Sequence, residues 1–292
     1  MAIAQSKAVE EEIPTLHVYT DLVQTAVVVL TPDRKPIGPI AEEKFYVSLE
    51  GGPKIRVTHA RLEGDEPISL AVLLDLTQPF PTLMRHIEDA IAGLAPLSSS
   101  PEDKIAIYSL DCQLVRPTGA VEADPTALKG AVAVALQSWK ARGEKRLTHC
   151  PEPSHLFDSL VAITQMLHGQ SGHRVILALR DGLDRGSHTD WNTLRFSAQA
   201  SGVAIFALTD FLSASDFIKV CDATGGMIST AHADDLAKSL ESFTKMLRAR
   251  YIVEFPPAAS TAAYRGFDIT IEKRTPSSGR PVHRFQTTIQ AS

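Results

Sequence analysis

The chain holds 292 residues, 44% hydrophobic and 22% charged, a balance typical of folded globular proteins that excludes a largely disordered chain. At this length about three quarters of the unfolded surface can be buried, so neither a metal nor a disulfide is needed for folding. Twenty-nine basic residues against 34 acidic ones leave a net charge of −5, which argues against nucleic acid or an anionic membrane as the main partner. No apolar run reaches the roughly 20 residues that a membrane-crossing helix requires.

In chain order, residues 1–14 read as a polar tail. Met1 to Glu12 lacks the apolar centre of a signal peptide, yet Ala2-Ile3-Ala4 before Gln5 resembles the end of a signal cleavage site. Two readings stand: a truncated secretory signal, or a plain unstructured terminus. Residues 15–66 form a β segment. Leu22 to Leu30 and Lys44 to Leu49 mix or alternate apolar and polar positions, and the turn formers Pro32-Asp33-Arg34 and Gly51-Gly52-Pro53 punctuate them.

Between residues 67 and 250 the rhythm changes. Ile68 to Leu74, Val175 to Leu179 and Val203 to Leu208 are apolar almost throughout, as strands are when helices cover both faces of a parallel sheet. Ile105 to Leu110 reads as a further strand. The intervening segments carry helical periodicity, as in Leu128, Val132, Ala135 and Trp139, then Leu156, Leu160, Ile163 and Leu167, then Leu236, Leu240, Phe243 and Leu247. Asp124-Pro125 and the pair Ser213 and Asp216 are helix-start signals, and Gly225-Gly226 ends the helix that carries Phe217 and Val220. The expected fold is α/β, a doubly wound, mainly parallel sheet. Strands return in residues 251–292, at Tyr251 to Phe255, Phe267 to Glu272 and Val282 to Ile289. Each flanking β zone is too small for a core of its own, so the two are expected to pack together as one small β subdomain.

Ligands of such sheets bind beyond the carboxyl ends of the strands. The loops there read Asp75-Leu76-Thr77-Gln78-Pro79 after the first strand and Arg180-Asp181-Gly182-Leu183-Asp184 after Leu179, with Ser154 to Asp158 opening a helix between them. Together with the hairpin-like stretch from Tyr108 to Val115, these features make the chain similar to the von Willebrand factor type A domain, from about Leu16 to Ile289. The likeness is closest to bacterial proteins with flanking β segments. It implies a metal-ion-dependent adhesion site in which Asp75, Thr77, Ser154 and Asp181 hold Mg²⁺ or another divalent cation. Pro79 stands where a second hydroxyl belongs, which removes one ligand. Arg180 either points away from the site or turns inward to pair with Asp75 or Asp181 in the cation's place. A degenerate site is the expectation.

The resemblance further implies a non-enzymatic adhesion module with another protein as partner, docking around Asp75, Gln78, Ser154, Arg180 and Asp184. It places the chain in an extracytoplasmic compartment, with a cytoplasmic one as the alternative. Other functional classes are a hydrolase or nucleotide-using enzyme, and a structural domain of a larger assembly. Against an enzyme stand the missing phosphate-cradling glycine motifs and the missing serine elbow.

His149, Cys150 and His155 match no zinc spacing and read as a solvated loop. Asp181, Asp184, His188 and Asp190 form a polar run with two readings: a calcium or hydrolytic site, or a solvent-facing loop that ends in a helix cap. Trp139 and Trp191 are expected in the core. Cys112 and Cys150 should emerge on one loop face, so they either pair in an oxidising compartment or stay reduced. Cys221 reads as a buried free thiol.

Overall fold

The computed structural model of the chain describes residues 22–31, 36–49, 52–62, 64, 66–77, 81–95, 102–111, 113–122, 124–145, 155–179, 184, 186–209, 215–231, 235–256 and 267–271. The central sheet is built from β5 (Ile68–Asp75), β6 (Lys104–Leu110), β9 (His173–Leu179), β10 (Val203–Thr209) and β11 (Ile228–Thr230), all parallel. Two short strands, β7 (Leu114–Val115) and β8 (Val121–Glu122), pair antiparallel with β6. The strand order is β11-β10-β9-β5-β6-β7. The chain thus starts mid-sheet at β5, winds outward to β6, and returns across β5 to lay down β9, β10 and β11.

The apolar runs follow from coverage on both faces. Leu70, Val72 and Leu74 of β5 point into one core with α1 (Pro81–Ala92), α2 (Pro125–Lys145) and α6 (Leu236–Arg248). Ala71 and Leu73 point into the other, with α3 (Leu156–Leu167), α4 (Trp191–Ala200) and α5 (Ser215–Ala223). The same division splits β9 and β10, where successive side chains alternate between the two cores. The predicted faces of α2, α3 and α6 are buried as expected, and Trp139 and Trp191 pack against the two cores. Cys221 is a buried free thiol, and burial pushes its pKa well up.

Helix boundaries also have local causes. Asp124 Oδ1 accepts from the amides of Thr126 and Ala127, both at 2.9 Å, and so caps α2. After α5, Gly225 takes φ +76° and the Gly226 amide returns to the Cys221 carbonyl at 2.9 Å, which closes the helix. The Ser213 part of the predicted start signal lies outside the described residues.

The flanking strands join. β1 (Val23–Val28) pairs antiparallel with β12 (Arg250–Phe255), which pairs with β4 (His59–Leu62). β13 (Phe267–Ile271) pairs with β2 (Phe45–Leu49), which pairs with β3 (Lys54–Arg56). These two three-stranded sheets enclose one core of Val27, Phe45, Val47, Tyr251, Val253, Phe255 and Ile269. The rings of Phe45 and Tyr251 lie 5.1 Å apart, and the Tyr251 hydroxyl accepts from the Ile40 amide at 2.8 Å. Val28 and Leu30 instead pack against the α/β core, so the stretch from Val27 to Leu30 alternates between the two cores. Residues 1–14 and the predicted strand from Val282 to Ile289 lie outside the described residues.

A buried clamp holds the junction of the two bodies. Asp103, 2% exposed, accepts from the Ile68 amide at 2.7 Å and pairs with the Arg248 guanidinium. Arg248 also donates to the carbonyls of Gly64 and Glu66, in the link between β4 and β5.

Candidate functional site

The order of the sheet reverses between β5 and β9, so the crevice that this topology offers lies at their carboxyl ends. Asp75 is the last residue of β5, one position beyond the Leu74–Leu179 pair that ends its register with β9. Its Oδ1 accepts from the Thr77 amide at 2.9 Å and the Thr77 hydroxyl at 2.6 Å. A carboxylate and a hydroxyl, brought together where the backbone leaves the sheet, are donors that a hard divalent cation takes. These two residues therefore fit the expected site in kind. Gln78, Pro79, Ser154, Arg180 and Asp181 lie outside the described residues, as do Cys112, His149 and Cys150.

Asp184 sits on the loop that follows β9 and faces inward. Its Oδ1 accepts from the Phe157 amide at 3.1 Å and the Ser187 hydroxyl at 2.7 Å, and its Oδ2 from the Ser187 amide at 3.3 Å. The Ser187 hydroxyl oxygen in turn accepts from the Asp158 amide at 3.1 Å. The first amides of α3 are thus capped by a loop 27 to 29 residues further along the chain, while His155, at the cap position itself, supplies no side-chain cap.

Asp158 completes the exchange. Its Oδ2 accepts from the His188 amide at 3.0 Å and its Oδ1 from the Thr189 amide at 2.9 Å. Burial alone would raise its pKa, but hydrogen bonds from Thr189 and His188 outweigh that and lower it from 3.8 to about 2. Because the folded value is the lower one, the tether's contribution to stability is complete above about pH 4 and is lost as pH falls through about 2. Carbon-detected NMR of the Asp158 carboxyl should show a midpoint near 2. A midpoint near 3.8 would mean that these donors do not hold the charged form.

The side chains of His155 and His188 flank the same carboxylate, each with Nδ1 3.5 Å from Asp158 Oδ2. Their rings are parallel within 3°, with centroids 6.1 Å apart. Read along the chain, His155 and His188 fall in separate polar stretches. The one signal for the cluster is the three-residue spacing of His155 and Asp158, which share a face at the start of a helix. Asp190, in the same run as His188, caps α4 by accepting from the Thr193 amide at 2.7 Å, as the bland reading of that run expects.

No family model matches the sequence, and no curated protein matches it significantly. Solved structures match its fold. Proximal thread matrix protein 1 of the mussel byssus, described with a zinc-occupied MIDAS motif, is 15% identical over 68% of this chain and 49% of its own, with a TM-score of 0.50. A von Willebrand factor type A protein of Catenulispora acidiphila is 14% identical over 78% of this chain and 50% of its own, at 0.46. The N-terminal domain of TFIIH p34 is 16% identical over 60% of this chain and 97% of its own, at 0.44. The chain spans about half the length of the first two. Its fold, a mainly parallel sheet with helices on both faces and a small β subdomain attached, is similar to that of these structures, von Willebrand factor type A domains among them. Among the described residues no helix is long and apolar enough to cross a membrane.

Proposed function

We propose that the chain is a non-enzymatic, extracytoplasmic protein-binding module whose partner docks on the loops around Asp75, Gln78, Ser154, Arg180 and Asp184. The observation that carries this reading is the Asp75–Thr77 pair, held by two hydrogen bonds at the carboxyl end of β5 beside the switch point of the sheet. Asp75 and Thr77, with Ser154 and Asp181 by resemblance, would hold a divalent cation. Such a cation, when bound, supplies a positive anchor for an acidic group of the partner. Pro79 brings no oxygen, so the shell would lean on water, and the site is degenerate. An Arg180 side chain turned toward Asp75 would substitute for the cation, and one turned away would not.

Titration calorimetry with Mg²⁺, Mn²⁺ and Ca²⁺ tests the site. The degenerate reading expects dissociation constants no tighter than about 1 mM, the weak end for protein sites of hard cations. Micromolar binding that disappears in Asp75→Ala would show a complete site instead. For the docking surface, Thr77→Arg plants a bulky charge on the face and should abolish partner binding. Lys245→Ala, on the exposed side of α6, should leave it intact. A partner that binds Thr77→Arg as well as the parent chain docks elsewhere.

A further inference from the structure

The cluster at the start of α3 is chemically unlike the oxygen donors Asp75 and Thr77. We propose that His155, Asp158 and His188 form a transition-metal site, binding zinc or a neighbouring late first-row divalent ion through two imidazole nitrogens and one carboxylate oxygen. Ligand atoms of the three residues lie within 4.8 Å of one another. A tetrahedral zinc ion with bonds of about 2.0–2.1 Å separates its ligands by roughly 3.3–3.5 Å. The two distances from Asp158 Oδ2 to the histidine Nδ1 atoms, both 3.5 Å, already match that spacing.

Preorganisation comes from the backbone. Two amides, of His188 and Thr189, hold the Asp158 carboxylate in place, and Ser187 and Asp184 tie the loop that carries His188 to the amides of α3. The His188 side chain is 93% exposed and those of His155 and Asp158 are 26% and 30% exposed. His188 can therefore rotate to close the third bond, and the outer coordination position opens to solvent or to a ligand carried by another molecule. Two nitrogens and one oxygen favour zinc, cobalt, nickel or copper over magnesium and calcium. Its three ligands are not those of the adhesion reading, although Asp184, which ties the loop of His188 to α3, also belongs to that reading's docking surface.

The test is titration of the full chain, freed of metal with a chelator, with Zn²⁺ by calorimetry and with Co²⁺ by visible spectroscopy. The expected result is a saturable one-to-one isotherm and the d–d bands of low-coordinate cobalt with nitrogen ligands. His188→Ala leaves the backbone bond to Asp158 available, and it should weaken zinc binding about tenfold or more with an unchanged melting temperature in the metal-free state; His155→Ala should do the same to zinc binding. Asp75→Ala should bind zinc like the parent chain, which separates failure here from failure of the adhesion site. No saturable zinc binding, or binding that survives both histidine substitutions, would overturn the proposal. So would zinc binding lost in Asp75→Ala and kept in His188→Ala.

Discussion

Asp103→Ala should lower the unfolding free energy by about 3–5 kcal/mol, the cost of leaving a buried charge without its partner. Asp103 is 2% exposed, and its carboxylate holds both the Arg248 guanidinium and the Ile68 amide. Truncation takes the carboxylate partner from the guanidinium and leaves the first amide of β5 without its acceptor. The pair need not be worth that much in itself, since desolvation offsets most of the attraction between buried ions. Asp103→Leu combined with Arg248→Met should therefore cost less than the two single changes added together. Urea unfolding of the parent chain, Asp103→Ala, the two single changes of the cycle and the double variant measures both quantities. A single-variant loss below about 1 kcal/mol would show that water reaches the pair.

Gly172→Ala should cost about 2–5 kcal/mol, through strain and collision together. Gly172 takes φ +71° just before β9, a conformation that side chains disfavour. A methyl group there would lie 2.0 Å from the Pro67 carbonyl oxygen and 2.8 Å from its carbon, and these are backbone atoms that cannot swing aside. The neighbouring His173 amide donates to that same carbonyl at 2.8 Å, so relief of the clash would break the bond that sets β9 beside β5. Gly169→Ala is the control: it also has positive φ, +82°, but no atom lies within 4 Å of the added carbon. It isolates the strain of about 1–2 kcal/mol. Equal losses at the two positions would remove the steric part of the argument.

The strands easiest to see in the sequence were those with two covered faces. β5, β9 and β10 announce themselves as apolar runs because each alternates between two cores. β3 is exposed at every position and β4 buries only Ala60, so neither leaves a periodic trace. β11 is three residues long, too short to show a period. The place of Asp75 at the end of β5 was legible because the apolar run stops at a carboxylate, whereas a ligand role for Asp75 and Thr77 came only from the resemblance. The capping of α3 by Asp184 and Ser187 was not legible, because those contacts join residues 27 to 29 positions apart, and only the folded sheet brings the two loops together. His188 is hidden for the same reason: nothing in its neighbours in sequence points to Asp158.

The placement of β4 and β12 bears on the order in which the molecule assembles. They pair directly, Leu62 opposite Tyr251, yet the whole α/β body lies between them in the chain. From an extended chain that pairing would close a very long loop and lose the corresponding entropy before any contact offset it. A folded body changes the problem, because it delivers the end of α6 to the link after β4, where Arg248 meets the carbonyls of Gly64 and Glu66. The βα units can form from contacts nearer in sequence, so the body condenses first and the β subdomain zips up on its surface afterwards. In kinetic terms, substitutions in the β5–β9 core should slow folding, whereas those in the β4–β12 ladder should chiefly hasten unfolding.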